Sequence, residues 1–260
     1  MSKYSAAARF AYLWDLLSAL VKREIQLRYR RSALGILWSL INPLLSLLIF
    51  VFLFQGVLKI NVPHYPVYVF SGLLAWNWFS SSMTSSTFTL FTNRDLVRTP
   101  SFPIEILILV NVSSNLVSYL LALPVLLGLI LVSGVPLGLT LLALPFIVLV
   151  QFLLTAGLCF VVSVLNVYYR DIEHLVAVSI GIWFYLTPVF YKTGAVPAHY
   201  AIIFAVNPMA QLMNGYHAIF LTHQMPDTVS LFLLGAVSSV AFAAGLMFFR
   251  HWKVDLVDAI

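Results

Sequence analysis

The stretch Leu27 to Leu45, LRYRRSALGILWSLINPLL, sets three arginines directly before a long apolar segment. A charged side chain costs about 2.5 to 3.5 kcal/mol at a bilayer centre, so Arg28, Arg30 and Arg31 are expected in water or among lipid headgroups. From Ser32 to Leu58 the chain then carries 27 residues with no Asp, Glu, Lys or Arg. About 20 apolar residues at 1.5 Å each cross about 30 Å of hydrocarbon, so this segment spans with some tilt. Inside it, Asn42-Pro43 removes one backbone donor, and a kink is expected there.

The rest of the chain has the same character. Of 260 residues, 62% are hydrophobic and 9% charged, with a mean hydropathy of +0.99. A water-soluble domain of this size cannot cover so much apolar surface, so the composition is that of an all-α, polytopic membrane protein. Cys159, the single cysteine, lies in an apolar run and reads as a buried structural thiol. No signal peptide is evident, because the first strongly apolar segment follows a charged stretch too long for an n-region. The first span is therefore expected to remain in the mature chain.

Upstream of the arginines, residues 9–31 have helical period. Phe10, Leu13, Leu17, Leu20 and Val21 share one side, with Asp15, Ser18, Lys22 and Gln26 on the other. Residues 1–31 are thus read as a cytoplasmic N-terminus carrying an amphipathic interface helix. Downstream, charge-free runs mark a transmembrane domain over residues 32–250, with spans near 33–58, 67–91, 104–132, 138–165, 173–191 and 228–249. The third and fourth divide at Ser133-Gly134-Val135-Pro136, a turn signal. Residues 251–260 form a cytoplasmic tail.

The segment from Thr193 to Pro226 is apolar, yet Pro197, Asn207-Pro208 and Pro226 cut it into pieces too short to cross as one helix. Asn207 reads as an N-cap with Pro208 in the first helical position. Short re-entrant outer helices over residues 198–221, between the fifth and sixth spans, are expected. Charge supports six spans: with both termini inside, 12 of the 14 Lys and Arg are cytoplasmic, only Lys59 and Lys192 falling outside. The net charge of +5 is accounted for by this orientation rather than by nucleic acid.

No catalytic set emerges. There is no HExxH, GxSxG or CxxC, no Gly-Lys of a phosphate-cradling loop, and no histidine spacing that argues for a metal site. The spans also lack the mid-membrane carboxylate with which a gradient-driven carrier couples to its ion. Energy for transport is then expected from a partner. Two short charged loops suit such a partner: TNRDLVRTPSFP (Thr92 to Pro103), with Arg94, Asp95 and Arg98, and NVYYRDIEHL (Asn166 to Leu175), with Arg170, Asp171, Glu173 and His174. Positive-inside charge and helix capping account equally well for any one of these residues.

RYRRSALGILWSLINPL (Arg28 to Leu44), NVYYRDIEHL with the following IWFYLTPVFY (ending at Tyr191), and NPMAQLMNGYHAIF (Asn207 to Phe220) resemble, in order, the membrane subunit of ABC-type polysaccharide exporters serving O-antigen, capsule and teichoic acid. Residues 60–165 match only in hydropathy and length. The resemblance implies a homodimer in the bacterial cytoplasmic (inner) membrane, paired with two copies of a separate ABC ATPase that holds ATP and Mg. It implies a glycan on a polyprenyl pyrophosphate carrier as substrate. It places Arg28, Arg30, Arg31 and Gly35 at a cytoplasmic gate and Asn207 and Pro208 at the exit. Trp38, Trp76, Trp78 and Tyr185 are candidates to line a channel, since sugar CH faces pack on aromatic rings, although interfacial belts use the same residues. Alternatives are an ABC permease for a drug or small lipid, a membrane-embedded enzyme acting on polyprenyl lipids, and a gradient-driven carrier.

Overall fold

A computed structural model describes residues 6–28, 30, 32, 34–59, 62–136, 138–192, 197–222 and 227–259. Arg31 lies outside the described residues. Among the described residues there are ten α-helices and no strand. They are α1 (Ala6–Arg28), α2 (Trp38–Val51), α3 (Tyr65–Thr92), α4 (Arg94–Val97), α5 (Glu105–Val132), α6 (Leu144–Tyr168), α7 (Ile172–Tyr185), α8 (Ala201–Val206), α9 (Pro208–His217) and α10 (Thr228–Ala259).

Among the described residues four helical segments are long and apolar enough to cross a membrane: Gly35–Val57, Glu105–Val132, Leu139–Tyr168 and Thr228–Leu256. The first joins a 3-10 turn at Gly35–Leu37 to α2 and ends in a π-helical stretch, Phe52–Val57. α2 runs unbroken through Pro43, and the irregular backbone appears downstream of it. Two helices differ from the sequence expectation. α3 has 28 residues, about 42 Å at 1.5 Å each, but its second half is rich in Ser and Thr and falls short in apolarity. α7 has 14 residues, about 21 Å, and ends at Tyr185 instead of running to residue 191.

α3 is the core of the bundle, buried along most of its length and packed by α5 on one side and α6 on the other. In a membrane no water reaches such a helix, so its hydroxyls bond within the protein: Ser82, Ser86 and Thr89 donate to the carbonyls of Trp78, Ser82 and Ser85. Gln151 of α6, fully buried, donates to the Ala75 carbonyl at 2.8 Å and accepts from the Tyr216 hydroxyl at 2.7 Å, joining α6, α3 and α9.

The largest helix contact is between α6 and α10, and glycine sets its spacing. A Cβ on Gly157 would sit 2.6 Å from the backbone of Ala241, and one on Gly245 would collide with the Gly157 carbonyl. Only bare backbone allows so close an approach, and dispersion between helices replaces the hydrophobic drive that lipid does not supply. At one end of the bundle Lys253 and Arg250 of α10 reach Glu105 of α5 at 3.0 and 3.5 Å. Trp252 there meets Tyr168 of α6 edge-on. The tail beyond residue 250 is therefore the continuation of α10, held against the bundle by its charges.

Candidate functional site

α1 packs along the first half of α5. Its residues 10–17 face the segment 97–109, Leu20, Arg23 and Glu24 face Leu107 to Asn111, and Arg28 reaches Asn115. Leu13, Leu17, Leu20 and Val21 of its apolar side are half-buried against protein. Asn115 is ten residues into α5, about 15 Å from Glu105. There the Arg28 guanidinium donates from Nη1 to Asn115 Oδ1 at 2.8 Å, with Glu24 at 4.0 Å. An amide acceptor and a nearby carboxylate thus give this arginine partners within the protein.

The hydrogen bonds continue inward. Asn115 Nδ2 donates to the Asn111 carbonyl at 3.1 Å, and Asn111 Nδ2 to the Ser82 carbonyl at 2.9 Å and Ser86 Oγ at 2.8 Å. Ser85 Oγ donates back to Asn111 Oδ1 at 2.6 Å. Asn111 and Asn115 stand four residues apart and so share one face of α5.

Above Arg28 opens a cavity of about 410 Å³. Three helices line it at helical spacing: α2 with Trp38, Ser39, Asn42 and Ser46, α3 with Asn77, Trp78 and Ser81, and α5 with Asn115, Ser118 and Tyr119. Among the described residues, Arg28 is the only charged group on its wall. Trp78 is fixed by its Nε1–H to the Val112 carbonyl at 3.2 Å and by ring contact with Tyr119 at 5.5 Å. Neutral amides and hydroxyls, aromatic faces and one cation can hold a polyol beside an anion. They offer no nucleophile and base for covalent chemistry.

The other residues singled out from sequence are dispersed. Arg30 is exposed in the turn after α1. Gly35 has φ +53°, a left-handed backbone that opens the 3-10 turn, with its N–H bonded to Ser32 Oγ at 3.1 Å. Trp38 and Trp78 meet at the cavity, whereas Trp76 is buried against Phe79 and Phe184, and Tyr185 is 68% exposed beside Phe184 and Phe190. Arg94, Asp95 and Arg98 belong to α4 and the residue after it. Arg170 and Asp171 form the turn before α7, and Glu173 and His174 lie in its first helical turn. The α3–α5 contacts near Thr92 and the contacts of α10 with Glu105 and Tyr168 put both loops at one end of the bundle.

Asn207 and Pro208 lie at the opposite end. Asn207 caps α9 by accepting from the Met209 and Ala210 amides, and Pro208 fills its first turn. The same Asn207 Oδ1 accepts from Trp183 Nε1 at 2.9 Å, while its Nδ2 donates to the Leu186 carbonyl at 3.0 Å. Nearby, the Tyr68 hydroxyl donates to the Tyr191 carbonyl at 2.6 Å, and His217 stacks on the Tyr68 ring. Among the described residues no group of three or more His, Cys, Asp or Glu is placed to hold a metal ion. Asn77, Asn111 and Asn115 were missed from sequence, and Asn42 was singled out only for a kink; the signal for them was amide and hydroxyl side chains recurring three or four residues apart within apolar helices.

An all-helical bundle with several membrane-length helices and a polar cavity among them defines a multi-pass membrane transport protein. The chain belongs to the ABC-2 type transporter family, whose profile matches residues 15–221. It is similar to the O-antigen export system permease protein RfbA of Myxococcus xanthus, 36% identical over 247 residues, covering 94% of this chain and 95% of that one. An RfbA of Klebsiella pneumoniae is 33% identical over 252 residues, 96% of each chain. The polysialic acid transport protein KpsM of Escherichia coli is 22% identical over 236 residues, 89% of this chain and 91% of that one. The chain is thus the membrane subunit of an ABC transporter and not an enzyme, the ATPase being a separate chain.

Proposed function

We propose that this chain is the transmembrane half of an ATP-driven exporter that carries a polysaccharide, held on a polyprenyl pyrophosphate lipid, across the bacterial cytoplasmic membrane. Relatives named for O-antigen export match it nearly end to end. The observation that carries the reading is the cavity: one cation, Arg28, beneath neutral amides, hydroxyls and the rings of Trp38, Trp78 and Tyr119. A pyrophosphate takes the guanidinium, whose fork matches phosphate oxygens, and the sugars take the amides and ring faces. Arg30, Arg31 and Gly35 complete the gate.

In this reading α3 and α7 supply two further crossings, giving six, with both termini cytoplasmic and 198–221 as re-entrant helices at the exit, held by Asn207 and Pro208. Two copies of the chain form the conduit, and two copies of the ATPase hold ATP and Mg. Exposed apolar faces of α2 and the π-helical stretch after it (Leu48, Ile49, Phe52) and of α7 (Val178, Ile182, Tyr185) suit contact between the copies or with lipid. Arg94, Asp95, Arg98, Arg170, Asp171, Glu173 and His174 receive the ATPase.

The test is ATP hydrolysis by the reconstituted transporter. A polyprenyl-pyrophosphate-linked glycan should stimulate it, and lipophilic drugs or simple lipids should not. Stimulation by a drug and none by the glycan would replace this reading with a drug or small-lipid permease.

A further inference from the structure

A second groove, of about 740 Å³, lies at the Glu105 end of the bundle, well apart from the Arg28 cavity. Its walls are apolar: Leu13, Trp14 and Leu17 of α1 face Phe242 and Leu246 of α10, with Phe102 of the α4–α5 segment between. It continues into a further apolar space of about 580 Å³, sharing Trp14, Leu17, Leu109 and Phe242 and running along α5 as far as Leu120. From Glu105 to Leu120 is about 22 Å along the helix, more than the roughly 15 Å depth of one bilayer leaflet. The mouth is basic. Arg98, Arg250 and Lys253 surround one carboxylate, Glu105, which is engaged by Lys253 at 3.0 Å and Arg250 at 3.5 Å. Three cations against one anion leave an excess of positive charge at the end of a slot as long as an acyl chain.

We propose that this groove binds one anionic phospholipid, its acyl chain between α1 and α10 and its phosphate at Arg98 and Arg250. The length, the apolar walls and the basic mouth each match a different part of that one molecule. A lipid wedged there sets how far α1 stands from α10. This reading is independent of the transported substrate.

Native mass spectrometry tests it on the full chain without its ATPase, extracted from nanodiscs of phosphatidylglycerol and phosphatidylcholine. The wild type should retain phosphatidylglycerol in preference to phosphatidylcholine by about tenfold, as two basic side chains near a headgroup allow. Arg98→Gln with Arg250→Gln should abolish the preference while leaving the Lys253–Glu105 pair in place. Ser113→Phe, which fills the upper groove without touching a charge, should lower retention of either lipid, and Arg28→Lys should change nothing. Glycerol phosphate should not displace the lipid. Equal retention of the two lipids by the wild type, unchanged retention in the variants, or displacement by glycerol phosphate overturns the proposal.

Discussion

Arg28 and Asn115, 87 residues apart, are joined by a hydrogen bond of 2.8 Å that fastens the end of α1 to the middle of α5. It places a charge on the cavity wall and ties it to the Asn111–Ser86 network behind. Neither Asn115→Leu nor Arg28→Lys removes the other partner, but each unmakes the geometry. A hydrogen bond to a charged group contributes about 1.5 kcal/mol or more, so each change should lower glycan-stimulated ATP hydrolysis about tenfold, and the double variant should lose little further. Additive losses in a double-mutant cycle would show that the two residues act separately.

Replacing Arg28, Arg30 and Arg31 by Lys preserves charge and therefore orientation. The triple variant should insert and assemble with its ATPase, yet lose substrate-stimulated hydrolysis and surface glycan. Normal export would assign the three residues to topology alone.

Charge reversal of Asp171 with Glu173, or of Arg94 with Arg98, alters loops at the ATPase-facing end in the proposed orientation. Each pair should weaken co-purification of the ATPase or uncouple hydrolysis from export, with membrane insertion unchanged. Export that survives both reversals would move the docking surface elsewhere.

Gly157→Ala tests the α6–α10 contact. The added methyl must displace backbone at Ala241, not a flexible side chain, and overpacking of this kind costs about 1 to 3 kcal/mol. A lowered Tm in detergent is expected, with Gly128→Ala, which meets open space, as the matched control.

Asn207→Ala removes a helix cap together with the bonds to Trp183 and Leu186. Loss of a cap alone costs about 1 kcal/mol, and each further hydrogen bond about the same. Thermal unfolding should show a loss of about 2 to 3 kcal/mol, with α7 and α9 becoming accessible to proteolysis or hydrogen exchange. A variant as stable as the wild type would mean that the outer helices are held by apolar packing.

The class of protein and several local features were written in the sequence. Charge-free runs mark membrane-length helices because a bilayer excludes charge over a fixed thickness, and Asn207-Pro208 starts a helix because an N-cap and a proline act within one turn. Local pattern could not say which helix faces meet. The partner of Arg28, Asn115, is far away in the chain and so invisible to local pattern, and the stripes of Asn and Ser on α2, α3 and α5 become one cavity wall only when three helices cross. α3 passed as an ordinary apolar span, and that it is the enclosed helix of the bundle is decided by the packing of α5 and α6 against it. The close approach of Gly157 and Gly245, and the tether of Glu105 to Lys253, likewise depend on how α5, α6 and α10 pack. Composition and period are properties of a segment, whereas a cavity is a property of the distances between segments.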